Sequence, residues 1–206
     1  MPAGPAAPIA GVVLAAGLST RMGRTKQLLE LGGRTLVRRA VETALAAGLE
    51  PVLVVVGHEE ERVRGALAGL RCTPVSNPEH AQGMNTSLRA GICAVPEAAA
   101  GAVVLLGDMP LITPAMVAEV VERFRAGSAP LVLSTFGGVV APPTLYGAGL
   151  FAELRALDAG ASGKHVVERH RAEALEVAFS AAALADLDLP DDLERARAAL
   201  FPDPSR

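Results

Sequence analysis

Four short apolar runs, Ile9 to Ala15, Pro51 to Gly57, Ala102 to Leu106 and Leu131 to Thr135, constrain the fold more than any other feature of the chain. None alternates apolar with polar residues, so each reads as a strand buried on both faces rather than one with a wet side. Segments of helical period separate them. Between the first two runs, Leu36, Val37, Ala40, Val41, Ala44 and Leu45 fall on one face of a helix over Thr35 to Ala47, which Gly48 ends. That is a β-α-β unit. Further helices are expected at Glu59 to Leu70, Met84 to Val95, Pro114 to Arg125, Phe151 to Leu157, Gly163 to His170 and Asp191 to Leu200. The alternation predicts an α/β fold of three layers, a mostly parallel, twisted sheet with helices on both faces.

Residues 1–206 read as a single domain, with its core over about 9–200 and a frayed end at 202–206. Hydrophobic residues make up 50% of the chain and aromatic ones only 3%, so Ala, Val and Leu must fill the core by close packing. Pro142-Pro143 and the glycines at 137, 138, 147 and 149 mark an irregular elaboration after the run at Leu131 to Thr135. A net charge of -3 offers no basic surface for a nucleic acid. Met1 to Pro8 lacks the basic start and apolar stretch of a signal peptide, and no apolar run is long enough to span a bilayer. A cytoplasmic protein with no membrane partner is the expectation. Cys72 and Cys93 lie far apart without metal-site spacing and read as reduced core residues.

Open α/β sheets bind ligands beyond the carboxyl ends of their strands, where the stretch LAAGLSTRMGRTK, Leu14 to Lys26, leaves the first run. Ala15, Ala16 and Gly17 have little or no side chain, so a phosphate can approach the backbone there. Arg21 and Lys26 add positive charge. Only Lys26 and Lys164 are lysines among 19 basic residues, and a compact ammonium suits a crowded phosphate site. Five residues separate Gly17 from Gly23 and Lys26 is not adjacent to either, so the Walker A pattern is excluded; Leu18-Ser19 after Gly17 excludes the dinucleotide fingerprint.

Gly107-Asp108-Met109-Pro110 places a carboxylate at the same sheet edge, suited to Mg²⁺, which takes one or two carboxylates together with phosphate oxygens. Asp186-Leu187-Asp188 offers a second, and period-two spacing leaves Asp186 and Asp188 equivalent. Asn77-Pro78 follows a further strand, third in chain order, between the helices at Glu59 to Leu70 and Met84 to Val95, and Gly83 to Leu88 opens a helix whose amides could meet an anion. Ser162 to His165 could start another helix with a basic cluster. His58, His80 and His170 have no partner at ligand spacing and read as surface residues.

Leu14 to Lys26 resembles the LAAGxSxRMGxxK signature of the nucleotidyltransferases related to the molybdenum-cofactor cytidylyltransferases, and the similarity extends over nearly the whole chain. It implies a Rossmann-like, GT-A-like nucleotidyltransferase fold. It further implies that Leu14, Ala15, Ala16, Gly17, Arg21 and Lys26 bind the nucleotide, with Arg21, Lys26 and Asp108 catalytic. The GDMP element matches directly, and the tail looks like the family's DIDTP element, which selects Asp188 beside Asp108 as the Mg²⁺ ligands; Leu189 replaces the usual Thr. Asn77, Gly83, Met84 and Ser87 match the family's NP and GMSSSL elements, with Asn85 and Thr86 in place of serines. Lys164 and His165 resemble its acceptor-binding Gly-Ala-Arg segment. VVAPPTLY, Val139 to Tyr146, departs from the usual RGHPVLF and keeps only Pro143, Leu145 and an aromatic Tyr146.

The implied reaction is transfer of CMP from CTP to the phosphate of molybdopterin, with pyrophosphate leaving and a molybdenum hydroxylase receiving the product. Ala16 suggests cytidine, because relatives that use GTP tend to carry Gly-Gly there. Two alternatives stand beside it. One is transfer to another phosphorylated metabolite, such as a sugar or alditol phosphate. The other is a non-catalytic module that binds a nucleotide or pterin and hands it on.

Overall fold

The computed structural model describes residues 6–18, 25–158, 163–184 and 190–201. Among these residues the main sheet has seven strands. In chain order the elements begin with β1 (Ile9–Leu14), the two-residue strands β2 (Glu30–Leu31) and β3 (Arg34–Thr35), α1 (Leu36–Ala46), β4 (Val52–Val56), α2 (Glu60–Ala66), β5 (Thr73–Ser76) and α3 (Met84–Cys93). Then come β6 (Gly101–Leu106), α4 (Pro114–Ala126), β7 (Leu131–Phe136), β8 (Val139–Gly147), α5 (Phe151–Arg155), α6 (Gly163–Arg169), β9 (Leu175–Phe179) and α7 (Pro190–Leu200). The spatial order is β5-β4-β1-β6-β8-β7-β9, and only β8 runs against its neighbours. Among the described residues no helix is long and apolar enough to cross a membrane.

The apolar runs become the central strands. Every residue of β1 and of β4 is buried, as two covered faces require. Alternate residues of β1 and the loop after it divide between two cores. Ile9, Val13 and Ala15 join Val37 and Val41 of α1, Val63 of α2 and Val117 and Val120 of α4. Ala10, Val12, Leu14 and Ala16 join Leu88 and Ile92 of α3, Leu154 of α5 and Val166 of α6. Caps fix the helix starts: the Thr35 hydroxyl accepts the Arg38 N–H, and the Thr113 hydroxyl accepts the Met116 N–H ahead of Pro114.

Helix α3 lies unusually close to the sheet. A Cβ on Gly91 would stand 2.4 Å from Val12 Cγ1 and 3.0 Å from Val55 Cγ2, so only glycine lets the helix settle there. That approach brings the N-terminus of α3 beside the carboxyl end of β1.

The region after β7 departs from the sequence reading. Instead of an irregular elaboration, Val139 to Gly147 forms β8, wedged between β6 and β7. Prolines are tolerated because the register jumps there: Leu133 faces Thr144 while Ser134 faces Ala141, and β6 pairs only with residues from Thr144 onward. Pro142 and Pro143 therefore sit where no ladder N–H is needed, and the Ser134 hydroxyl donates to Pro143 O at 2.6 Å. Cys93 is exposed at the end of α3 and Cys72 is half-buried, so neither is a full core residue. The histidines at 58, 80 and 170 are half-buried rather than superficial; His170 Nε2 lies 2.8 Å from Glu153 Oε2.

Candidate active site

Three strand ends converge where β1, β4 and β6 stop. Ala15 N–H donates to Val55 O and Gly107 N–H to Leu14 O, each at 2.9 Å, so the ladder continues one residue past β1 and past β6 before the loops depart. Beyond that point a cleft of about 190 Å³ is lined by Leu14, Ala16, Gly17, Lys26, Met84, Ser87 and Asp108, with Gln27 and Leu106. A second cleft, of about 240 Å³, lies at the opposite sheet edge against Leu45, Glu50, Arg71 and Thr73. Carboxyl-end placement and the lysine-carboxylate set single out the first.

Each wall has a local cause. Ala16 and Gly17 keep the loop backbone low, and a Cβ on Gly17 would meet Gln27 Nε2 at 3.3 Å. Lys26 opens a single 3-10 turn, Lys26–Leu28, that Thr25 starts with its carbonyl, which accepts the Leu28 N–H at 3.1 Å. Gln27 is 6% exposed and packs beneath both Gly17 and Gly107. Asp108 is half-buried on the turn after β6, between Gly107 and the buried Met109.

The third wall is the start of α3. Gly83, at φ 120°, precedes the helix, and Met84 is 62% exposed on its first turn. Asn77 braces this end from below. Its N–H donates to Val56 O, its amide nitrogen donates to Thr86 Oγ1 at 2.9 Å and Ser87 Oγ at 3.0 Å, and its Oδ1 accepts the Glu79 N–H at 3.0 Å. Those bonds occupy both amide hydrogens, so Asn77 places Ser87 rather than facing the cleft.

Of the residues singled out from sequence, Leu14, Ala16, Gly17, Lys26, Met84, Ser87 and Asp108 come together. Ala15 and Asn77 are buried behind the lining, Ala15 because strand alternation turns it into the other core, and Gly83 is exposed ahead of α3 without lining the cleft. Lys164 and His165 are exposed on α6, whose first residue approaches α3: a Cβ on Gly163 would meet Leu88 Cδ2 at 2.8 Å and the Tyr146 hydroxyl at 3.9 Å. Arg21, Asp186 and Asp188 lie outside the described residues. Gln27 and Leu106 were not anticipated, although the position of Gln27 beside Lys26 was a signal.

Residues 11–174 match the model of the MobA-like NTP transferase domain. The chain belongs to the MobA-like NTP transferase family. The bifunctional protein GlmU of Sorangium cellulosum is 36% identical over 149 residues, which are 68% of this chain and 31% of that protein, so the chain spans about a third of that relative. Among solved structures, Rv0371c of Mycobacterium tuberculosis H37Rv is similar with a TM-score of 0.82 at 28% identity, covering 94% of this chain and 99% of that one. A manganese complex of Rv0371c matches at a TM-score of 0.76 and 28% identity, covering 93% and 98%. The mostly parallel, seven-stranded sheet is the fold expected from the sequence, and a nucleotidyl transferase from Methanothermobacter thermautotroptrophicus shares it with a TM-score of 0.80 at 23% identity, covering 93% of this chain and 97% of that one.

Proposed function

We propose that this NTP transferase moves the CMP group of CTP onto the phosphate of molybdopterin and releases pyrophosphate. The observation that carries the reading is the meeting of Ala16-Gly17, Lys26 and Asp108 in one cleft. Small residues admit a triphosphate against the backbone, the ammonium neutralises it, and the carboxylate supplies a hard oxygen donor beside it. An acceptor phosphate oxygen bonds to the α-phosphorus in line while the bond to the bridging α-β oxygen breaks, and that oxygen leaves with pyrophosphate. The nucleophile is already ionised near neutral pH, so positioning and charge neutralisation suffice.

Lys26, with Arg21, holds the triphosphate and takes up charge on the departing pyrophosphate. Asp108 and Asp188 are the residues proposed to hold Mg²⁺, which would neutralise phosphate oxygens. The half-buried Asp108 in a lysine-lined cleft fits a hard cation shared with phosphate, and the manganese complex of Rv0371c shows a divalent ion with a relative. Ser87 and Met84 face the nucleotide from the start of α3, and Lys164 and His165 await the acceptor phosphate. Ala16, at 2% exposure in the cleft wall, is the residue that favours cytidine.

The test is a panel of CTP, GTP, ATP and UTP with Mg²⁺, each with molybdopterin, a sugar phosphate and an alditol phosphate. CTP with molybdopterin should give pyrophosphate and a cytosine dinucleotide detectable by mass. Preference for GTP, or turnover only with a sugar or alditol phosphate, would overturn the cytidine or pterin assignment. Tight binding with no pyrophosphate from any pair would make the chain a carrier.

A further inference from the structure

The turn from Gly57 to Glu59, between β4 and α2, touches the first loop on both sides of residues 17–24. On one side His58 N–H donates to Ala16 O at 3.4 Å. On the other, the Thr25 hydroxyl donates to Glu59 Oε2, and Arg62 donates to the other carboxylate oxygen. Thr25 is 5% exposed and directly precedes Lys26, so the bond fixes the backbone from which the lysine projects.

Two further features show that the turn is built for this contact. Glu59 has φ 50° and ψ 38°, the one non-glycine residue with positive φ among the described residues, a conformation that L side chains avoid. Gly57 leaves no room for a side chain: a Cβ would stand 2.6 Å from His80 Cβ and 3.0 Å from Ala16 Cβ. The backbone is thus bent at Glu59 and pressed close at Gly57. Hydrogen bonds from Thr25 and then Arg62 also hold the Glu59 carboxyl below the usual carboxylate range, so it stays an acceptor at neutral pH.

We propose that Glu59 is a positioning residue that, through Thr25, sets where Lys26 meets the triphosphate, so that one turn grips the nucleotide loop at both ends. The proposal rests on the reading of Lys26 as a triphosphate ligand. It predicts a defect that travels through Lys26 and does not spread to the rest of the fold.

The experiment measures NTP-dependent pyrophosphate release, with KM and kcat separated, in the full chain. Glu59→Asn tolerates a left-handed backbone but is too short to reach Thr25, whereas Glu59→Gln keeps an oxygen acceptor at full length. Glu59→Asn should lower kcat/KM for the NTP about tenfold, with kcat falling as well as KM rising, and Glu59→Gln should restore at least about half of it. Thr25→Val should reproduce the loss from the other side. Combined with Lys26→Ala, neither change should cost anything more.

If Lys26→Ala leaves turnover at the wild-type level, the reading of the site itself fails. If Lys26→Ala is impaired while Glu59→Asn and Thr25→Val are not, or if their losses multiply with that of Lys26→Ala, the positioning role alone is overturned. Equal loss in Glu59→Gln and Glu59→Asn would also overturn it. Should Glu59→Asn not fold, Thr25→Val decides by the same criteria.

Discussion

Asn77→Ala removes the hydrogen bonds that this side chain makes to Thr86, Ser87 and the Glu79 N–H, at a site that is 3% exposed. The losses are unequal. Thr86 Oγ1 keeps an acceptor for its one hydrogen, with Gly83 O at 2.8 Å and Glu79 O at 3.0 Å both in reach, so it forfeits only an incoming bond. Ser87 Oγ, 5% exposed, loses the donor that orients it, and the Glu79 N–H loses its acceptor. A net hydrogen bond is worth about 1 kcal/mol and a stranded buried group costs about 1–3, so the sum is roughly 2–4 kcal/mol. At about 2–4 °C per kcal/mol for a chain of this size, Tm should fall by about 10 °C. Differential scanning calorimetry reads the shift, and urea titration should show a lower midpoint with unchanged slope. The KM for the NTP should rise as well, because Ser87 is no longer held at the cleft. A Tm within about 2 °C of wild type would refute the reasoning, since it would mean that the start of α3 holds without its brace.

Gly91→Ala pushes a methyl to 2.4 Å from Val12 Cγ1; the overpacking should cost about 1–3 kcal/mol, outweighing a helix-propensity gain of up to about 1, and an unchanged urea midpoint would contradict the packing. Tyr146 is the single tyrosine of a chain without Trp, and burial pushes its phenol up to about 12. Its contribution to stability is therefore full below the ordinary value of 10.0 and lost as pH rises through about 12, and phenolate absorbance should show no native-state titration near 10. The Glu60 carboxyl is held below its ordinary 4.5 by hydrogen bonds from Ser76 and then Arg64. Its contribution is therefore full above 4.5 and disappears as pH falls through the lower native value, so circular dichroism of Glu60→Gln should show a shallower loss of stability with acid.

What the sequence made legible follows from where burial is dense. β1, β4, β6 and β7 are continuous apolar runs because helices cover both sides, and α1 announced itself by period, by Thr35 and by Gly48. β9 is an edge strand with only Val177 buried, too weak a pattern to stand out. β8 hid behind Pro142-Pro143, because the jump in register that accommodates them is a property of the pairing with β7 and not of the local sequence. In the cleft, Ala16, Gly17 and Asp108 were readable because they sit just past strand ends, and Lys26 because it closes the stretch that Ala16 and Gly17 open. Gln27 and Glu59 were not, since their roles arise from neighbours far along the chain: Gly107 over Gln27, and Thr25 against Glu59. The bonds of Asn77 to Thr86 and Ser87 were not readable, as the identity of its partners is set by how α3 docks.

The central claim is that Lys26 and Asp108 serve one nucleotidyl transfer in one cleft. The most direct measurement is pyrophosphate release from CTP, with Mg²⁺ and molybdopterin, by the wild-type chain and by Lys26→Ala and Asp108→Ala. Each substitution should lower turnover by about a hundredfold or more while leaving Tm within about 2 °C, as expected of groups that act on charge developing at the phosphates. Wild-type turnover in either variant would contradict the claim.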